Sequence, residues 1–253
     1  MAAHNFKLIS RNIASSKRPE FIVDILRTER PHLLLLQEVT LSTPQLLSAV
    51  KTLNYNCESN IDILNPSHPG TAAVWRADLP VSRLDSLQTC HLQSITVGDQ
   101  TFLNVYAPSG SANRRERSLL FSSQIFPHLL AMHAGLLPVL AGDWNCLLAA
   151  EDTTANFREK FSKDLDNLVK TFNYSDTYRT LHPHTAEFTF HRASCSPARL
   201  DRVYLPPHLA TSLRSASHHA GVADHWAVHV ELELDVVDVV LPSRRPKSQG
   251  RLL

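Results

Sequence analysis

The sequence predicts an α/β chain folded as a four-layer α/β/β/α sandwich, two packed mixed sheets flanked by helices. Three observations predict it. Apolar runs too short for helices, Leu33-Leu34-Leu35-Leu36 and the stretch 137–142, read as strands covered on both faces. Segments with helical spacing alternate with them, such as Phe21, Ile22, Ile25 and Leu26. Near the end, Trp226, Val228, Val230, Leu232 and Leu234 alternate with Ala227, His229, Glu231 and Glu233, the period of a half-buried strand. Strands and helices interleaved this way fit two stacked sheets with helices outside.

Each element has its own signal. Residues 6–12 form a first strand with Phe6 and Leu8 on one face and Ile9 on the other. Pro19 opens a helix that Pro31 ends. The leucine strand runs over 32–38 and closes on Gln37-Glu38, and Thr43-Pro44 starts a second helix through Leu46, Leu47, Val50 and Leu53. Strands are expected at 71–76, 91–97 and 101–107, a helix at 114–133, and a strand at 137–142 that leads into Asp143-Trp144-Asn145. Phe161, Leu165, Leu168 and Phe172 mark one helix over 157–172, and strands follow at 187–191 and 199–205. The domain is expected to span 1–235. Residues 236–253, with Ser243-Arg244-Arg245-Pro246-Lys247, have the composition of a linker or tail leading to a downstream domain.

The net charge of +1 gives no global argument for nucleic acid, so local clusters must carry any such case. No stretch is long and apolar enough to span a membrane, and the N-terminus lacks the features of a secretory signal. Cys57, Cys90, Cys146 and Cys195 are far apart in sequence and read as free thiols of an intracellular protein.

Polar groups collect at strand ends: Asn12, Glu38, Asp143 with Asn145, and Asp224 with His225, while Asp201 lies inside a strand. Carboxylates and amides without soft ligands suit a hard cation such as Mg²⁺. An Asp–His pair suits an imidazole held in one tautomer, or charged, beside a reacting phosphate. Singly, each has a structural explanation: a surface carboxylate, an Asx turn, a strand cap.

Taken in order, Leu35-Leu36-Gln37-Glu38, Asn104-Val105-Tyr106-Ala107-Pro108, Gly142-Asp143-Trp144-Asn145, Arg199-Leu200-Asp201-Arg202 and Ala223-Asp224-His225 resemble the endonuclease/exonuclease/phosphatase superfamily. The resemblance implies that Glu38 and Asp224 serve the metal, Mg²⁺ or Mn²⁺, and that Asn12 organises the metal and phosphate site. It implies that Tyr106 lies beside the scissile phosphate and that Asp143 orients or deprotonates the attacking water. Asn145 would hold the phosphate, and Asp201 would bond His225, which contacts a phosphate oxygen. Ala14, Ser15, Ala223 and Thr153 depart from the pattern. A narrower resemblance, carried by Asp176-Thr177-Tyr178-Arg179-Thr180-Leu181-His182-Pro183 and Glu187-Phe188-Thr189-Phe190, is to the endonuclease domain of LINE-type, non-LTR retrotransposons. That group implies nicking of double-stranded target DNA in the nucleus, with the free 3′-hydroxyl priming a covalently linked reverse transcriptase.

Candidate DNA-contacting residues are Thr189, near the active site in that resemblance, and Arg192 and Arg199, which flank the 191–198 loop. Arg114 and Arg115, in the cluster that runs to Arg117, either grip backbone phosphates or open a solvated helix. Trp75 and Trp226 read as core. Other readings share the fold: an abasic-site endonuclease, an inositol-phosphate phosphatase or a secreted DNase. A reading of another class is a weakly catalytic domain that docks DNA.

Overall fold

Two parallel strand pairs organise the molecule. In the computed structural model, which describes residues 4–62, 65, 68–84, 88–132, 136–221 and 224–234, β1 (His4–Asn12) lies parallel to β2 (Leu33–Val39). Later in the chain, β7 (Gln100–Tyr106) lies parallel to β8 (Val139–Asp143). A parallel pair needs a crossover, and helices supply it. The first is α1 (Pro19–Glu29), with proline at its start and Arg30 in the left-handed conformation at its end. The second runs through α3 (Arg114–Leu119), a π-helical stretch (Leu120–Ile125) and α4 (Phe126–Ala131).

Antiparallel strands extend both pairs. Tyr55–Asn60 is β3, Gly70–Arg76 is β4, Val81–Leu84 is β5 and Leu92–Val97 is β6. Ser175–Asp176 is β9, Asp201–Leu205 is β10, Leu213–His219 is β11 and Ala227–Leu234 is β12. Among the described residues one sheet runs β11-β12-β1-β2-β4-β3 and the other β5-β6-β7-β8-β10-β9. The two centres match: each parallel pair is flanked by antiparallel strands on both sides.

Side-chain alternation builds the layers. Leu33 and Leu35 face the space between the sheets with Phe6, Leu8, Phe102, Val139, Val203, Val228 and Val230. Leu34 and Leu36 face the other way, joining Ile9, α1 and α2 (Thr43–Val50). The continuous leucine run is therefore buried on both faces, as its length predicts. On the second sheet, Leu103, Val105 and Leu140 pack outward against the α3–α4 crossover and α6 (Lys163–Thr171). The result is the α/β/β/α sandwich that the sequence predicts.

A polar brace crosses the space between the sheets. Gln37 Nε2 donates to Asn104 Oδ1 across the sheets at 2.7 Å, and Asn104 Nδ2 donates to the Leu36 and Ala72 carbonyls. Both side chains are fully buried, so these bonds satisfy the Gln37 amide N–H and the Asn104 amide, which would otherwise destabilise the core. The brace locks the relative position of the sheets one residue from Glu38 and two from Tyr106.

Several expectations need correction. The helix expected over 157–172 is two helices, α5 (Phe157–Lys160) and α6, because Phe161 bridges Leu147 and Ser162 caps the second helix through Leu165 N. Residues 187–191 form no regular strand; Phe190 makes isolated bridges to Ala198 and His225. The 114–133 helix contains the π stretch and its α4 portion ends at Ala131, while His133 lies outside the described residues. Ala223 and the 236–253 tail also lie outside them. All four cysteines are free thiols.

Candidate active site

Ligands in open sheets collect at the carboxyl ends of parallel strands. Here Asn12 ends β1, Glu38 lies at the end of β2, Tyr106 ends β7 and Asp143 ends β8. The antiparallel neighbours enter the same edge from the opposite direction. Asp201 opens β10 directly opposite Asp143, and His225 stands two residues before β12. Chain direction alone thus brings six residues from six separate segments to one edge.

The side chains then interlock. Asn12, fully buried, donates through Nδ2 to Glu38 Oε1 and to Asp143 Oδ2, both at 2.9 Å, while its Oδ1 accepts the Ala14 N–H at 2.8 Å. Asn145 Nδ2 donates to Asp143 Oδ2 at 3.0 Å and to the Ala107 carbonyl at 2.9 Å, and its backbone N–H donates to Asp143 Oδ1 at 3.0 Å. Asp201 Oδ2 bonds His225 Nδ1 at 2.9 Å, and His225 Nε2 lies 4.0 Å from Asp143 Oδ2.

The backbone is strained at the same place. Ala14, Ser15, Glu38 and Asn145 have φ of 48, 55, 54 and 49°. Non-glycine residues held there cost ~1–3 kcal/mol each, and such strain concentrates at functional sites. At Glu38 it accompanies a register shift between Gln37 and Val39 in the pairing with β4. Ser15 keeps a link to this corner: its N–H donates to the Glu38 carbonyl at 3.1 Å. Gly142 fits where no other residue can, since a Cβ there would lie 1.9 Å from the Val105 carbonyl oxygen.

Electrostatics follow from burial. Burial and the nearby Asp201 charge raise the Asp143 pKa. Burial disfavours the charged imidazole of His225, but Asp201 and Asp143 outweigh it and push the pKa up to about 10. The Tyr106 phenol is raised by burial and by the charges of Glu38 and Asp143, so it stays protonated and able to donate.

Glu38, Asp143 and His225 each offer one ligand atom, all within 4.8 Å of one another. Two carboxylates and an imidazole this close fit a divalent cation, whose charge would offset the burial and the Asp201 charge that lift Asp143. Asp224, expected in the metal set, is not among these three; its carboxylate faces Arg192 at 3.5 Å across the cleft mouth.

Two expected DNA contacts are corrected. Thr189 is fully buried, and its hydroxyl donates to Asp201 Oδ2 at 2.7 Å while accepting the Leu200 and Asp201 N–H groups at 3.0 Å. It orients Asp201 from beneath the surface rather than presenting its hydroxyl to solvent. Arg199 is 2% exposed, bonded to Asp152 and Asp176 at 2.8 and 2.7 Å, and is a structural cation. Arg117 is also buried, donating to the Pro108 and Gly110 carbonyls. Arg114 and Arg192 line the catalytic cleft, whereas Arg115 is exposed but outside its lining.

Sequence reading missed the cluster beneath the 190–200 segment. Asp152, fully buried, accepts from Arg179, Arg199 and Arg202 at 2.8, 2.8 and 3.1 Å. The Asp176 and Arg179 of the narrower motif belong to this network, with Asp176 also capping α7 (Thr177–Leu181) through Arg179 N.

Comparison with solved structures gives the same architecture. A 3′ phosphatase from Neisseria bound to a product DNA hairpin aligns with a TM-score of 0.75 at 19% identity, over 90% of this chain and 100% of that one. An AP endonuclease from Archaeoglobus fulgidus aligns at 0.76 and 17%, over 90% and 100%. An AP endonuclease from Leishmania major aligns at 0.75 and 14%, over 91% and 88%. The sequence model of the endonuclease/exonuclease/phosphatase family, whose members are hydrolytic nucleases and phosphatases, matches residues 10–225. With that match spanning every residue of the cluster from Asn12 to His225, the chain belongs to the endonuclease/exonuclease/phosphatase family.

Proposed function

We propose that the chain is a Mg²⁺-dependent endonuclease that nicks double-stranded DNA, with Mn²⁺ as a substitute. The observation that carries this reading is the joined set Glu38–Asn12–Asp143–Asn145 beside Asp201–His225. Hydrolysis of a phosphodiester needs an aligned water, charge neutralisation on the phosphoryl oxygens and help for the leaving oxygen. A divalent cation would be held by Glu38, with Asp143 beside it, and would supply positive charge to those oxygens. Asp143, held by two amide side chains, orients the water and accepts its proton. His225, charged and held through Nδ1 by Asp201, presents Nε2–H to a phosphoryl oxygen. Tyr106 adds a phenolic donor at the same edge. Water attack on phosphorus breaks the bond to the 3′-oxygen, which takes up a proton and leaves a 3′-hydroxyl opposite a 5′-phosphate.

The DNA-strand role follows the LINE-type motif 176–183, in which the nick primes a covalently linked reverse transcriptase in the nucleus. The test is the chemistry of the nick: a polymerase should extend the product of supercoiled plasmid without phosphatase pretreatment, at sites without abasic lesions. The AP endonucleases among the similar structures favour a second reading, an abasic-site enzyme. Cleavage confined to a duplex with an abasic site would support that one instead.

A further inference from the structure

The catalytic residues open into a cleft of about 630 Å³ whose lining includes Glu38, Asp224 and His225 together with Arg114, Arg117, Lys160 and Arg192. Their charges are not equally available. Arg117 is bound to two carbonyls, and Arg192 faces Asp224. Lys160 is half-buried, and among the described residues no carboxylate lies within ion-pair distance of its ammonium. Its backbone is pinned beside the reacting centre: Leu147 N–H donates to the Lys160 carbonyl at 2.9 Å, and Ser162 N–H donates back to the Leu147 carbonyl at 3.2 Å. Leu147 is two residues beyond Asn145, so these bonds tie the end of α5 to the turn that carries Asp143 and Asn145. The bridge that splits the expected long helix is what places Lys160 there.

We infer that Lys160 is a phosphate-binding residue, whose ammonium engages a non-bridging oxygen of a backbone phosphate flanking the scissile one. The ligand's identity rests on the nuclease reading above. An ammonium with no ion-pair partner in a cleft attracts an anion, and a phosphate contact needs only a well-placed charge, not a planar fork. A contact of this kind acts on binding and register, and carries no base preference.

The test measures binding separately from cleavage. Anisotropy of a fluorescent duplex is followed over a KCl titration in EDTA for wild type, Lys160→Gln, Lys160→Arg and Lys163→Gln, with plasmid nicking in Mg²⁺ run in parallel. Lys163 is exposed and does not border the cleft, so it controls for general charge loss. Lys160→Gln is expected to weaken binding roughly tenfold at low salt and to flatten the slope of log affinity against log salt by about 0.9. Lys160→Arg should restore both, and in nicking Lys160→Gln should raise KM while kcat holds. A Lys160→Gln slope and affinity equal to wild type, an equal loss in Lys163→Gln, or a wild type that binds no duplex overturns the inference. Duplex binding without nicking by wild type would defeat the nuclease reading alone, and the binding arm would still decide Lys160.

Discussion

Thr189→Val separates a residue that orients the site from one that touches DNA. The substitution is nearly isosteric and removes one hydroxyl, which makes three hydrogen bonds at a fully buried position. Two backbone N–H groups, of Leu200 and Asp201, lose their acceptor. Each buried group left unsatisfied costs ~1–3 kcal/mol, so ~2–4 kcal/mol is expected after partial relaxation. For a chain of this size that is a fall in Tm of ~5–15 °C. Asp201 Oδ2 also loses one of its two donors and is left with His225 Nδ1 alone. Looser His225 orientation should lower kcat by ~10-fold or more, the scale of a general acid–base or orienting contribution. Thr189→Ser keeps all three bonds and loses a methyl worth ~1 kcal/mol, so its kcat should stay near wild type. Thermal melts and single-turnover nicking at saturating DNA read both effects. A Thr189→Val protein with wild-type kcat but raised KM would refute the reasoning, because that is the behaviour of a DNA contact.

Other outcomes follow from the same structure. Asp152→Asn leaves the buried Arg199 and Arg202 short of negative charge and should destabilise by ~3–5 kcal/mol, read by chemical denaturation; a loss under 1 kcal/mol would contradict the network's role. Burial lowers the His229 pKa to about 3 and, with Arg199, lowers that of His218. Both imidazoles are neutral when folded and titrate near pH ~6.5 when unfolded, so the stability present above that pH is lost as pH falls toward their folded values. His229→Gln should remove ~1–2 kcal/mol of the stability loss between pH 7 and 5, and parallel denaturation curves at the two pH values would count against it.

The layers and the meeting of the candidate site residues at one edge were legible because both depend on strongly patterned strands. Phe6, Leu8 and Ile9 alternate, the leucine run is continuous, and Asn12, Glu38 and Asp143 stand at the ends of such segments, where the pattern breaks. β3, β5 and β11 gave no signal because they flank or edge the sheets; β11 reads Leu-Arg-Ser-Ala-Ser-His-His and pairs on one side alone. Periodicity also missed the break at Phe161, since its cause is a bridge to Leu147, 14 positions upstream. Arg199 was misread for a similar reason. An arginine beside a polar loop looks solvated until Asp152, 47 positions away, is seen to bury it. Thr189 needed the fold as well, because its partners lie 11 and 12 residues downstream across a loop.

The most direct test is plasmid nicking with Mg²⁺, with and without EDTA, by wild type and by the Asp143→Ala and His225→Ala proteins. The account predicts conversion of supercoiled to open-circular DNA by wild type alone, abolished by EDTA and by either substitution while both variants stay folded. Nicking that survives EDTA, or that persists at the wild-type rate in His225→Ala, would contradict it.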